Sequence, residues 1–206
     1  MRNETKDKVP IYESELASSF DLVLREAEAL YQGQGRLKKT YECLAKHLDE
    51  LGISYSLVGG YALILHGVRR FTEDIDLLVS KEGLDKIHKE LIGRGYVQAA
   101  PESRNLRDIE TGVQIEFVVT GEFPGDGKPK PVAFPDPEAV GETREGIRVI
   151  NLKSLIELKL ASGMTAKARL QDLADVQRLI EQHHLTSDFA EHLHPYVRKK
   201  FLELLP

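Results

Sequence analysis

A single cysteine, Cys43, stands in 206 residues. That excludes an internal disulfide framework and suits a reducing, cytoplasmic compartment; a lone thiol within a helical pattern reads simply as a small apolar residue. Long apolar runs are lacking too, none approaching the roughly 20 residues that span a bilayer. The opening "MRNETKDKVP" is too charged and polar for a signal peptide or anchor, so no membrane association is expected. Positive charge is not in excess: a net charge of −5 argues against a generally basic nucleic-acid binder, without excluding a local basic groove. The tight basic clusters "RR" (69–70) and "RKK" (198–200) read as solvated surface. Internal repeats, low-complexity tracts and any evident Ser/His/Asp or Cys/His set are also missing.

With 41% hydrophobic and 30% charged residues, the chain can bury a sizeable core, as one domain or one domain with a helical extension. "ESELASSFDLVLREAEALYQ" (13–32) predicts a helix. "LKKTYECLAKHLDELG" predicts a second, with Leu37, Tyr41, Leu44, Leu48 and Leu51 at helical spacing and Gly52 as the stop. "ISYSLV" (53–58) alternates as a strand, and "GGYALILHG" reads as a strand-to-helix turn with a short helix ended by Gly67. Next come a strand at 74–80, an amphipathic helix through Leu84, Ile87, Leu91 and Ile92, and short strands at "GYVQ" and "LRDIE". A longer strand is expected at 112–120 and a short one at "IRVI", with helices over 152–162 and 167–183 and one or two more to the end. Residues 121–146, rich in Gly, Pro and charge, read as one long loop, the seam between core and C-terminal helices. The expected organisation is N-terminal helices over 1–52, an α/β core over 53–150 and a helical region over 151–206.

Chemistry concentrates in "LVGGYALILHGVRRFTEDIDLLV" (57–79). Side chains alternate across a strand, so Asp74 and Asp76 share one face while Ile75 and Leu77 share the other. By the same alternation "VQIEFVV" puts Gln114 and Glu116 on one face, and adjacent strands would bring Glu116 beside the two aspartates. Carboxylates gathered at a sheet need compensation, because an unpaired buried charge costs several kcal/mol. Water on a half-exposed strand, pairing with Arg69 and Arg70, or a divalent cation would each supply it; an oxygen-only ligand set points to Mg²⁺ or Mn²⁺ rather than zinc. Gly59 and Gly60 sit at the strand-to-helix junction, where glycine lets backbone approach a ligand and free helix N–H groups suit a phosphate. Tight turns also use Gly-Gly for steric reasons alone.

In "NLKSLIELKLASG" a lysine, Lys159, falls at the centre of the stripe formed by Leu152, Leu155 and Ile156, where it must either snorkel out or meet an anion. "GDGKPK" (125–130) lacks the spacing of a phosphate-binding P-loop, and its prolines would break the helix that must come after it. "GQGRLKK" (33–39) reads as an interhelical turn, and His183, His184, His192 and His194 have no second ligand cluster at fixed spacing.

The stretch from "VGG" through an alanine-containing helix to "RFTEDIDLLV" resembles the DNA polymerase β-like nucleotidyltransferase superfamily, whose pattern is Gly-Gly followed by R-x-S/T-x-D-x-D. The resemblance covers roughly residues 53–120. It implies the nucleotidyltransferase fold: an α/β (α+β) mixed sheet flanked by helices, with a helical C-terminal region. It also implies that Gly59 and Gly60 hold the phosphates of an incoming nucleotide, that Asp74 and Asp76 bridge the metals, and that Glu116 is the third carboxylate. Arg70 and Thr72 match the residues leading into the D-x-D strand and join the nucleotide-binding set. The C-terminal part resembles nucleotidyltransferase-type toxins of abortive-infection toxin–antitoxin systems and their bacterial relatives, in which a helix lysine precedes R-x-K-D-x-x-D. Lys159, Arg169, Asp172 and Asp175 match that pattern, Gln171 replaces its lysine, and "VGGYAL" stands where the toxins read K-G-G-T-A-L.

The activity implied by the resemblance is a metal-dependent transfer of a nucleoside monophosphate from an NTP to an acceptor, with release of pyrophosphate. Asp74, Asp76 and Glu116 would be catalytic and metal-ligating. Gly59, Gly60, Arg70, Thr72, Lys159 and Asp172 would serve the nucleotide. The acceptor class stays open among tRNA, protein and small molecules. Two other readings stand beside this one: a nucleotide-sensing or partner-binding module without turnover, and the toxin component of a pair with an antitoxin.

Overall fold

The computed structural model describes residues 9–206. The first eight residues of the polar opening stretch, expected to be neither signal nor anchor, lie outside the described residues.

Three helices lead in: α1 (Tyr12–Ser18), α2 (Phe20–Tyr31) and α3 (Gly35–Glu50). The single helix expected over 13–32 is two, because Ser19 is extended (φ −146°, ψ 106°) and its side chain caps α2 by accepting from the Leu22 N–H. Both halves are amphipathic and neither Gly nor Pro marks the joint. Cys43 is exposed on α3 rather than part of an apolar face.

The core then runs β1 (Tyr55–Val58), α4 (Gly59–Leu65), β2 (Asp74–Val79), α5 (Lys81–Leu91), β3 (Tyr96–Gln98), β4 (Leu106–Asp108) and β5 (Gln114–Val119). The region expected to be one long loop is a loop only as far as residue 136. After it come a short helix, α6 (Pro137–Val140), started by the Asp136 cap and Pro137, and a strand, β6 (Gly141–Arg144), paired with β7 (Ile147–Ile150). β6 is a polar edge strand, so it lacks the apolar alternation that betrays a strand facing the core. The chain ends in α7 (Leu152–Thr165), α8 (Leu170–His183) and α9 (Pro195–Glu203), with 3₁₀ turns at Lys167–Arg169 and Ser187–His192.

All seven strands form one mixed sheet in the order β3-β4-β5-β2-β1-β7-β6. β2 and β5 run parallel at its centre, as do β1 and β7; the other pairs are antiparallel. Ile75, Leu77, Ile115 and Phe117 are buried in the two central strands, and a single apolar cluster extends from Tyr12 to Phe201. α7 is buried on nearly every side, from Ser154 to Gly163. No helix among the described residues is long and apolar enough to cross a membrane.

α1 is latched to the β4–β5 hairpin by Arg107. Its guanidinium, 8% exposed, donates to Glu13 at 2.8 Å, to the Gly112 carbonyl at 2.5 Å and to Gln114 Oε1 at 2.9 Å. Arg107→Met keeps the apolar stem but leaves those acceptors unmatched, at a cost of about 2–3 kcal/mol. Urea denaturation should show that loss as a lower midpoint; an unchanged midpoint would mean that the latch contributes nothing.

Candidate active site

The site is set by strand register. Asp76 lies opposite Glu116 in the parallel β2–β5 pair, and Asp74 opposite Gln114. Residues paired this way project to the same face of strands about 4.8 Å apart. One carboxylate oxygen from each of Asp74, Asp76 and Glu116 accordingly converges, the three within 4.8 Å of one another, the only such ligand group among the described residues.

Each of the three carboxylates receives one neutral donor. The Thr72 hydroxyl donates to Asp74 at 2.8 Å, the Gln114 amide to Glu116 at 2.7 Å, and the Gly60 backbone N–H to Asp76. Behind Gln114 stands Arg107, which donates both to it and to Glu13, so a chain of hydrogen bonds links α1 to the acidic cluster. Such outer partners fix the orientation of ligating carboxylates. Gln114 shared a strand face with Glu116 in the sequence, but Arg107 gave no signal there.

No lysine or arginine among the described residues makes an ion pair with any of the three. Pairing of the aspartates with Arg69 and Arg70 does not occur. Arg70 reaches instead to Asp175 at 2.6 Å, and Asp175 is fully buried. Lys159 is drawn into the same arrangement, 2.8 Å from Asp172 and 2.9 Å from Asp175. Ser162 adds a hydrogen bond to Asp172 at 2.6 Å and Gln171 one to Asp175 at 3.1 Å. Lys159 therefore does not snorkel: it is 7% exposed and meets anions within the protein. Two cations and two carboxylates balance there, which leaves the three-carboxylate cluster with its own charge.

The Gly-Gly turn explains how the cluster is packed. Gly59 has φ +64°, and a Cβ on it would lie 1.7 Å from Asp76 Oδ2; one on Gly60 would lie 2.4 Å from Thr72 Oγ1. The turn thus closes directly over the D-x-D strand, and the Gly60 N–H favours the charged form of Asp76. α4 has only seven residues.

Asp76, Glu116, Gly59, Lys159 and Asp172 line one cleft between the sheet and α7–α8, with Phe134 and Pro124 of the 121–136 loop on its far wall. Thr72 and Arg70 are not in its lining: Thr72 supports Asp74 from behind and Arg70 supports Asp175. Nothing in the sequence pattern of that loop signals its part in the cleft. The histidine-rich tract forms no metal group; His183 bonds the His66 carbonyl and His194 caps α9.

Asp76 opens onto this cleft but is surrounded by protein. Burial, then Asp74, then Glu116 raise its carboxyl from the ordinary 3.8 to about 7, against the opposing pull of Lys159 and the Gly60 N–H. Three carboxylates this close, unpaired with any cation among the described residues, fit a divalent cation held by oxygen ligands.

Residues 43–204 match the family described as nucleotidyl transferase AbiEii toxin, type IV toxin–antitoxin system, and the chain belongs to that family. No curated protein matches the chain by sequence. Similar solved structures include a proposed nucleotidyltransferase of Thermotoga maritima (22% identity, 66% of this chain and 92% of that one, TM-score 0.44). Another is an antigenic nucleotidyltransferase-like protein of Paracoccidioides brasiliensis (16%, 76% and 77%, TM-score 0.46). A third is ANT(2″)-Ia in complex with adenylyl-2″-tobramycin (12%, 88% and 96%, TM-score 0.48).

A carboxyl with a raised folded pKa contributes stability that is fully present below its ordinary 3.8 and is lost as pH rises through about 7. Metal-free protein should therefore lose Tm between about pH 4 and 7 relative to Asp76→Asn. Mn²⁺ should raise Tm by a few degrees, more at the alkaline end, and leave the variant unmoved; an equal rise in the variant would contradict the site. Gly59→Ala should lose about 1–2 kcal/mol from the left-handed backbone alone and, by displacing Asp76, abolish the Mn²⁺-induced rise; a variant with unchanged Tm and metal response would contradict the packing.

Proposed function

We propose that the cleft binds a nucleoside triphosphate with divalent cations, Mg²⁺ or Mn²⁺, and transfers its nucleoside monophosphate to an acceptor with release of pyrophosphate. The single observation that carries this reading is the convergence of Asp74, Asp76 and Glu116 with no cation among the described residues paired to them. Those three residues would hold the metal, which when bound supplies Lewis-acid stabilisation of the entering and leaving oxygens. Thr72, the Gly60 N–H and Gln114 keep the carboxylates oriented so that little rearrangement accompanies binding. Gly59, without a side chain, lets the backbone approach the phosphates along the cleft floor.

Lys159 would offset charge developing on the leaving group, its position fixed by Asp172 and Asp175. Asp172 lines the cleft beside it and joins the nucleotide set. Arg70 serves that set indirectly, by neutralising buried Asp175. The acceptor is an RNA, protein or small molecule carrying a hydroxyl or phosphate, and the family membership supports an antitoxin as genetic partner and a toxin role. A cytoplasmic setting suits the NTP substrate and the free thiol of Cys43.

The test is incubation with each α-labelled NTP, Mg²⁺ or Mn²⁺, and total cellular RNA or protein. Label should pass to one acceptor pool with stoichiometric pyrophosphate. Asp76→Asn should reduce transfer at least about 100-fold while remaining folded. Transfer at the unaltered rate by that variant would overturn the mechanism.

A further inference from the structure

The cleft is chemically divided. One part carries Asp76, Glu116 and Gly59; Lys159, Ser162, Arg169 and Asp172 add polar groups, and an apolar stretch is built from Val118, Pro124, Phe134, Leu155 and Leu158. Asp74, Thr72 and Gln114 lie outside the lining. An apolar end beside ligating carboxylates suits the uncharged part of a small substrate whose phosphates reach them.

The wall of that end is built to stay in place. Its two ends are tied by reciprocal backbone hydrogen bonds, Gly121 N–H to the Phe134 carbonyl and Phe134 N–H to the Glu122 carbonyl, both 2.8 Å. Within it Lys130, its side chain only 5% exposed, binds the Pro124 carbonyl at 2.5 Å and Asp126 at 2.6 Å. Gly125 seats the loop on α7: a Cβ there would lie 2.4 Å from Thr165 Oγ1 and 2.8 Å from the Ser162 carbonyl. A 13-residue span, 122–134, is therefore closed at its base, pinned inside and pressed against a helix, an Ω-like loop holding an aromatic ring and a proline over the cleft.

We propose that segment 122–134 is the nucleoside-binding wall, with Phe134 and Pro124 receiving the base of the NTP against Leu155 and Leu158. This rests on the metal–phosphate reading of the carboxylate cluster. Aromatic stacking is tolerant of base identity because every base has a π-face, so the wall sets affinity for nucleotides as a class rather than choosing among them.

The test compares two ligands in the presence of Mn²⁺ by titration calorimetry: α,β-methylene analogues of the four NTPs, and inorganic tripolyphosphate, which has no base. Phe134→Ala should weaken all four nucleotides by about tenfold and leave tripolyphosphate affinity unchanged, while Phe134→Tyr keeps both. Lys130→Met, which unpins the loop without touching the ring, should weaken the nucleotides and spare tripolyphosphate. Unchanged nucleotide affinity in Phe134→Ala overturns the proposal, as does an equal loss for tripolyphosphate, which would mark a collapsed cleft. If unaltered protein binds tripolyphosphate as tightly as the nucleotides, the base subsite fails alone. If it binds neither with Mn²⁺, the reading of the carboxylate cluster fails with it.

Discussion

Mutual repulsion among three carboxylates is the constraint on which the rest of this structure turns. Asp74, Asp76 and Glu116 meet on one face of the central strands, each with one neutral donor and no ion-pairing partner among the described residues. Like charges at such spacing push one another toward the protonated form, and the rise of Asp76 to about 7 is that effect added to burial. An arrangement that costs the free protein stability is retained where a bound cation reverses the cost. Lys159 and Arg70 are paired with Asp172 and Asp175, and Arg169, which also lines the cleft, makes no ion pair with the three carboxylates.

The scaffold produces this arrangement by register. The parallel pairing of β2 with β5 sets Asp76 against Glu116, and a slip of one residue in either strand would put the two aspartates and Glu116 on opposite faces. The Gly59–Gly60 turn comes so close that any side chain on Gly59 would collide with Asp76. α7, buried nearly all round, supplies the opposing wall and carries the lysine whose charge forces two carboxylates of α8 to face it. The helical C-terminal region thus completes the cleft that the sheet begins.

Much of this was legible from alternation and spacing. Residues that alternate in "DIDLLV" and "VQIEFVV" share a face wherever those strands lie, so the acidic cluster needed only one assumption, that the strands are neighbours. What escaped was whatever depends on distant partners or on segments without periodicity. Ser19 splits a helix by a local cap that amphipathic spacing does not register. β6 is a polar edge with no core-facing pattern, and the composition of 121–146 said loop without saying that Phe134 would line the cleft. Arg107 lies in a three-residue strand and acts through Gln114 across a hairpin. The sequence left two fates open for Lys159, solvent or an anion, and only packing decided that its partners are carboxylates of the same chain.

The most direct measurement is anomalous diffraction from crystals soaked with Mn²⁺ and a non-transferable NTP analogue. Manganese density is expected among the carboxylates of Asp74, Asp76 and Glu116, with the phosphates beside Gly59. Density at another location, or none with the nucleotide bound elsewhere, would contradict a cluster held together by its metal.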